Sequence, residues 1–425
     1  MFKKRITPFA CVVVSVVVCI ATCVATLTHQ NIRRNAEINE QRQETANWSE
    51  FFNTVKNSGS NSTDDFNVAS DKYIKLATLI NRLEQNYVNE YDQQQVWDNI
   101  YRVLAMSIGD DYSQYFTAEE YAALLNDQDG NFVGIGVHAT FDVDTNGIYV
   151  FGVMKDSPAE LGGVQKGDII VAAEGIEATD KNYYTMLDTI RGEPGTEVSI
   201  TVLRGEEKLE LKLTRAAVPS ENVIYENLGN GIAYIKILTF SETTVTSQFV
   251  SQMSLAQSEG CTKFIFDVRN NIGGSLDEIR KTLDLLLPQG PIINIVTKDG
   301  KTTTLNSDEN CIKAEKMVVL CNDATASAAE LFTAALRDYE LAEIVGVKTF
   351  GKGTMQTTFN LEDGSAIKMS TAFYNPPSNE SYDGKGITPD YEVKLDEKWE
   401  SRFYKMPKEE DAQLQKAISL ITSTN

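Results

Sequence analysis

The sequence predicts a multidomain chain of mixed α+β and α/β class, and three observations predict it. Phe9 to Leu27 carries no charge, residues 127 to 216 fall into short strands separated by turn signals, and from about Val218 strands and helices interleave. An apolar stretch of that length reads as a membrane helix, the short strands as a compact barrel-like module, and the interleaving as an α/β layer. The expected organisation is an N-terminal tip and membrane helix over 1–28, a polar stalk over 29–67, a helical region over 68–126, the barrel-like module over 127–216, an α/β core over 217–398 and a helical tail over 399–425.

The first element rests on length and flanking charge. Phe9 to Leu27 would span about 28 Å as a helix, close to the thickness of a bilayer core. Lys3, Lys4 and Arg5 precede it and favour an N-terminus inside with the rest of the chain outside. The competing reading is a cleaved signal peptide and a secreted product. The stalk is polar and contains Asn57-Ser58-Gly59-Ser60-Asn61-Ser62-Thr63. In the helical region, Ile74, Ala77, Ile80, Leu83 and Tyr87 repeat at helical spacing, as do Val96, Ile100, Val103 and Leu104. Thr117 and Glu120 form the ends of a capping box that opens a third helix.

The next ninety residues change period. Phe132–Val137, Ile148–Val153 and Asp168–Ala173 are expected strands, and Tyr183, Leu187 and Ile190 mark a short helix. Val198–Leu203 and Leu209–Leu213 alternate around Arg204-Gly205-Glu206-Glu207, a hairpin signal. The core then runs strand 232–237, helix 242–257, strand 263–268, helix 276–287, strand 317–321, helix 328–339 and strand 341–345. A last amphipathic helix covers 409–421.

Composition excludes several functions. The 425 residues carry a net charge of −21, which does not suit a nucleic-acid binder. There are two histidines, His29 and His138, so a zinc site built on several histidines is excluded and a Ser-His-Asp triad would need one of them. Three of the six cysteines, Cys11, Cys19 and Cys23, stand in the apolar segment. Cys261, Cys311 and Cys321 remain, an odd number that argues against a disulfide framework.

Three segments carry chemistry. Met317–Cys321 delivers the chain to Asn322-Asp323-Ala324-Thr325-Ala326-Ser327, and a helix begins there. A serine at that point can expose its hydroxyl beside helix N-terminal amides suited to an oxyanion, although serine there is also a favoured N-cap. Gly351-Lys352-Gly353 follows the next strand, and Lys352 stands 25 residues after Ser327 (352 − 327), one helix and one strand later. With histidine scarce, a neutral lysine is the available general base for a serine. Holding a free lysine half neutral at pH 7 costs about 4.6 kcal/mol, which a buried apolar pocket can supply. A phosphate loop would need a four-residue spacer after an earlier glycine, and none is present. The third segment, Asp267-Val268-Arg269-Asn270-Asn271-Ile272-Gly273-Gly274, is a strand-to-helix turn whose two glycines leave amides bare.

In this order the three segments resemble the carboxyl-terminal processing peptidases, or tail-specific proteases. Ile108–Thr117 and Gly384–Asp390 resemble the family's segments before the peptide-binding domain and at the end of the protease core. The match covers roughly residues 70 to 395, with Ile272 where proline is usual and Thr325 where serine is usual. The resemblance implies a crotonase-like layered serine protease core, with Ser327 as nucleophile, Lys352 as general base and Gln356 orienting the lysine. It implies an oxyanion hole from the amides of Ala328 and of Gly273 or Gly274, and leaves Glu330 either assisting the dyad or pairing with a cation.

Residues 127–216 resemble a PDZ domain through Asn131–Val137 and Ser157–Ile170. That implies capture of a substrate's C-terminal carboxylate at Val133, Gly134, Ile135 and Gly136, with the peptide added as a strand. In some relatives an arginine at the position of Arg191 couples peptide binding to the active site. The expectation is a serine endopeptidase, anchored by its N-terminal helix with the catalytic part outside the cytoplasmic membrane, that cuts proteins held by their C-terminal tails. It expects no metal or organic cofactor and no nucleic acid, and the terminal helical regions offer a homodimer contact. The alternative is a catalytically inactive PDZ scaffold that binds protein C-termini.

Overall fold

The structure, a computed structural model, describes residues 63–128 and 131–423. The expected membrane helix, most of the stalk and His29 lie outside the described residues. Among those described, no helix is long and apolar enough to cross a membrane. The chain divides into two compact units, Met1–Tyr91 and Asp92–Asn425. The first holds helix α1 (Thr63–Asn86), longer at its start than the periodicity from Tyr73 implies. Close behind it, Tyr87 meets Tyr91 edge-on, with ring centroids 5.9 Å apart.

The second unit opens with α2 (Gln93–Met106), whose N-cap Asp92 accepts the Gln95 N–H at 3.1 Å. Strand β1 (Gln114–Phe116) and helix α3 (Ala118–Gln128) follow. The capping box of α3 is formed on both sides: Glu120 Oε2 accepts the Thr117 N–H, and Thr117 Oγ1 accepts the Glu120 N–H.

The PDZ-like module contains β2 (Asn131–Gly134), β3 (Val137–Asp142), β4 (Gly147–Val153), α4 (Pro158–Leu161), β5 (Ile169–Ala173), β6 (Ile176–Glu177), α5 (Tyr183–Ile190), β7 (Glu197–Arg204), β8 (Glu207–Thr214) and β9 (Ala216–Pro219). Five strands form an antiparallel sheet in the order β3-β4-β5-β7-β8, with β6 paired to β5. Its core is Ile135, Ile148, Val150, Ile170, Met186, Val198, Ile200 and Val202. The β7–β8 hairpin closes in the register Arg204↔Glu207, as the alternation implied.

One expected strand, Phe132–Val137, is two. Strand β2 pairs with β9, the chain turns at Gly136 (φ +78°), and β3 joins the sheet. A Cβ at Gly136 would stand 2.4 Å from the Ser157 Cβ, so this turn requires glycine. β3 is an edge strand, paired only with β4.

The core comprises β10 (Val223–Gly229), β11 (Ile232–Ile237), α6 (Val245–Ser258), β12 (Lys263–Asp267), α7 (Leu276–Asp284), β13 (Gly290–Thr297), β14 (Thr302–Ser307), β15 (Lys316–Cys321), α8 (Ala328–Asp338), β16 (Ala342–Gly346), β17 (Thr354–Asn360), β18 (Ala366–Asn375), β19 (Tyr391–Glu392), α9 (Glu397–Glu400) and α10 (Ala412–Thr422). A six-stranded sheet runs β10-β11-β12-β15-β16-β19, parallel except at β10–β11. Its central strands β12, β15 and β16 are mostly apolar because both faces are covered. Phe249, Leu283, Leu331 and Phe332 from α6, α7 and α8 pack on one face with Phe264, Phe266 and Val319. Leu414, Ala417 and Ile421 of α10 cover Ile265, Val318 and Val345 on the other.

A second, antiparallel sheet is absent from the sequence-based expectation. It joins β1, β18, β13 and β14, with β17 also on β18. Strands β14 and β17 are rich in threonine and largely unburied, so no long apolar run announces them. The chain passes from the first sheet to the second between β16 and β17, the stretch that holds Lys352.

Candidate active site

Strand β15 ends at buried Cys321, whose thiol burial pushes up to about 12, which leaves it inert as a nucleophile at neutral pH. The following turn is held from below. Thr325 Oγ1 donates to Val268 O at 2.9 Å, and the Ala326 N–H donates to Asn271 O at 2.9 Å. These ties set Ser327 at φ 58°, ψ −122°, a conformation that costs a non-glycine residue about 1–3 kcal/mol. The Ser327 N–H donates to Glu330 Oε2 at 2.9 Å, one half of a capping box. The serine hydroxyl accepts the Tyr374 hydroxyl at 2.8 Å.

The Asp267–Gly274 turn lies against this elbow. Buried Asn271 donates to Ile237 O at 3.0 Å and accepts the Gly273 N–H at 2.9 Å. A Cβ on Gly273 (φ +98°) would stand 2.6 Å from Ser327 Cβ and 2.8 Å from Ala328 N. One on Gly274 would stand 2.2 Å from the Phe240 carbonyl carbon. Gly273 therefore lets the turn touch the serine directly, and Gly274 lets it pass close against the Phe240–Ser241 backbone. Of the three amides expected in an oxyanion hole, that of Gly273 is committed to Asn271. Those of Gly274 and Ala328 engage no other described residue.

The lysine loop reaches the same point from β16. The Phe350 N–H donates to Thr325 O at 3.0 Å, and the Gly353 N–H donates to Asp383 Oδ1 at 2.8 Å. Gly351 (φ +95°) packs on Gly386, where a Cβ would stand 2.7 Å from its nitrogen. Glu330 then joins loop and elbow. Its carboxylate is fully buried and accepts Thr349 Oγ1 (2.6 Å), Gly351 N–H (2.6 Å), Lys352 N–H (2.7 Å) and Ser327 N–H. Burial pushes its carboxyl above the usual range, against the pull of these hydrogen bonds. The choice the sequence left open for Glu330 has a geometric answer: its oxygens are spent on backbone amides and a hydroxyl.

Lys352 is largely enclosed. Burial pushes its ammonium down to about 8, and the Lys368 charge adds to this against Asp110 and Glu330. Its Nζ lies 3.9 Å from the centre of the Tyr112 ring. No hydrogen bond joins Lys352 Nζ to Ser327 Oγ among the described residues. Gln356, expected to orient the lysine, instead donates to Ser370 Oγ at 2.9 Å and to Thr354 O and Oγ1 at 3.2 Å. The Asp110–Tyr115 segment closes over the base: Asp110 Oδ2 accepts Ser113 Oγ at 2.5 Å and the Ser370 N–H at 3.3 Å.

In the PDZ-like module, Val133 and Gly134 lie on β2, Ile135 is buried and Gly136 makes the turn into edge strand β3. Arg191 ends α5, with its N–H on Leu187 O at 2.9 Å, and its charge acts on Tyr183. His138 bonds Glu221 at 3.1 Å and stacks on Phe151. Sequence reasoning missed Tyr112 and Tyr374. Tyr112 stands inside a segment that the resemblance had marked, but nothing in the spacing distinguishes Tyr374.

A peptidase family S41 model matches residues 231–393, and a PDZ domain model matches residues 133–214. A protein described as a probable CtpA-like serine protease of Staphylococcus aureus (strain COL) is 32% identical over 346 residues, 81% of this chain and 68% of the relative. One from Staphylococcus epidermidis (strain ATCC 12228 / FDA PCI 1200) is 32% identical over 322 residues, 75% of this chain and 65% of the relative. Among solved structures, a candidate S41 protease from Bacteroides fragilis NCTC 9343 has the same fold, with a TM-score of 0.57 and 19% identity over 80% of this chain and 94% of that one. A serine placed on a strained elbow, a glycine turn against it and a PDZ module ahead of it agree with these likenesses: the chain belongs to the CtpA-like serine proteases of peptidase family S41 and is a serine endopeptidase with a PDZ domain.

Proposed function

We propose that the protein cuts peptide bonds with a Ser327–Lys352 dyad, on substrates whose C-terminal tails its PDZ domain captures, outside the cytoplasmic membrane. The observation that carries this reading is Glu330. One buried carboxylate holds the backbone N–H of Ser327 and that of Lys352, so the two residues share one rigid anchor.

The chemistry follows from the surroundings. With its pKa near 8, Lys352 is neutral in an appreciable fraction of molecules at neutral pH. Rotation of its side chain off the Tyr112 ring brings Nζ toward Ser327. The neutral amine takes the Ser327 hydroxyl proton as Oγ attacks the scissile carbonyl. The amides of Ala328 and Gly274 receive the developing oxyanion. The resulting ammonium returns its proton to the leaving amine, and water then hydrolyses the acyl-enzyme by the same route.

The free edge of β3 suits an extended tail, which would add there as a further strand with its carboxylate near Gly134–Gly136. Arg191, at the end of α5, is the residue we propose passes that occupancy on. The uncharged Phe9–Leu27 stretch behind three basic residues supports anchoring with the enzyme exported.

The test is cleavage of an unstructured protein tail by purified wild type, Ser327→Ala and Lys352→Ala. Both variants are expected to lose turnover while keeping tail binding and the wild-type melting temperature. Retained turnover in either removes the dyad. Wild-type protein that binds tails but never cuts them is the inactive scaffold instead.

A further inference from the structure

Tyr374 contacts the nucleophile's hydroxyl directly, and the dyad does not account for it. It lies near the end of β18, in the second sheet, and is only 4% exposed. Its hydroxyl has one proton and two acceptors in reach, Ser327 Oγ at 2.8 Å and Lys352 O at 3.2 Å. The shorter contact is to the reacting atom. The ring is fixed from two directions. Tyr382 meets it edge-on at 6.2 Å, and the Tyr374 N–H donates to Gly353 O at 2.9 Å, which ties the β18 backbone to the lysine loop.

We propose that Tyr374 is a catalytic residue, a fixed hydrogen-bond donor to Ser327 Oγ that stabilises the negative charge developing on that oxygen. The inference rests on Ser327 being the nucleophile. As Lys352 withdraws the Ser327 proton, Oγ gains charge before its bond to the carbonyl carbon is complete. A donor already aimed at it, from a ring only 4% exposed, strengthens as that charge grows. Tyr374 keeps its own proton throughout. Burial holds its phenol above the ordinary tyrosine range, so it acts as a donor and leaves the proton transfer to Lys352. When the acyl-enzyme breaks down, Oγ becomes the leaving atom and meets the same donor.

Tyr374→Phe tests this, since it removes the hydroxyl and keeps the ring. The expected result is a kcat about 10- to 100-fold lower with KM unchanged, and a matching loss in the rate of labelling by a fluorophosphonate, which reads serine attack without tail capture. The midpoint of the pH–rate profile, set by Lys352, should stay where it is in wild type. A shifted midpoint or a raised KM with unchanged kcat would mean that Tyr374 only packs the lysine loop, and overturns the proposal. So would labelling at or above the wild-type rate, which would make the phenol a restraint on the resting serine. Ser327→Ala serves as the control: if it is still labelled, the nucleophile assignment falls, whereas an unlabelled Ser327→Ala beside a fully active Tyr374→Phe removes the tyrosine alone.

Discussion

Lys352 has to be two things at once, near enough to a serine to take its proton and neutral enough to accept it. Burial achieves the second by penalising the ammonium, and Lys368 adds a like charge; Asp110 and Glu330 oppose both. The direction of the pH dependence follows. The neutral amine is the competent form, and its fraction rises as pH passes upward through about 8. At pH 7 about a tenth of the molecules would carry a neutral Lys352. The rate kcat/KM should therefore climb roughly tenfold from pH 7 to its alkaline plateau. Lys368→Met removes a positive neighbour, which favours the ammonium of Lys352 and moves the midpoint up. A profile flat from pH 6 to 9, or a midpoint that Lys368→Met lowers, would contradict a lysine base.

The turn between β12 and α7 shows why residue type there is dictated by contact rather than by chemistry. Ala at Gly273 would press its methyl on Ser327 Cβ and on the Ala328 amide, from a backbone conformation that disfavours any Cβ. Gly273→Ala should therefore abolish turnover even though position 273 contributes only backbone, and should lower the melting temperature. Turnover within a factor of two of wild type would show that the turn can move away from the elbow.

The same turn marks how far the sequence could be read. The α/β alternation, the β7–β8 hairpin and the Thr117–Glu120 capping box were legible because period and cap chemistry are local. Ser327 and the two glycines stood out at strand-to-helix turns, and Lys352 stood out between two glycines directly after a strand. The second sheet was not, since β14 and β17 face solvent on part of their surface, and β1 and β13 reach β18 only across long stretches of chain. Tyr374 and the Gln356–Ser370 contact were hidden for the same reason: both depend on β18, and Asn360 to Ala366 alone gives no sign of where that strand returns.

The C-terminal segment joins the PDZ module to the protease core, and its two ends do so with contacts of different kinds. At one end, Arg269 is buried with Asp267 and Asp411, donating to both at 2.6–2.9 Å, and to Gln413 at 3.0 Å. Burial alone would raise the Asp267 carboxyl, yet the guanidinium beside it holds it below the usual range. At the other end, Tyr404 and Lys405 satisfy buried Asp142 of the PDZ module, while Arg402 pairs with Asp144 at the surface. Phe403 sits between, under the Arg269 guanidinium at 4.7 Å.

Charge burial separates the two ends energetically. Arg269→Ala would leave Asp267 charged in a dry interior, a loss of about 3–5 kcal/mol. Arg402→Ala breaks a solvated pair, and such pairs contribute little. Trp399 lies on the segment, its indole N–H donating to Glu410 at 3.3 Å, and its fluorescence reports the segment's release. In urea, the Arg269→Ala transition should move to clearly lower denaturant while Arg402→Ala tracks wild type. Coincident transitions for the two variants would mean that the segment is held by the apolar face of α10 on the sheet, and that the buried ions serve only to fix its register.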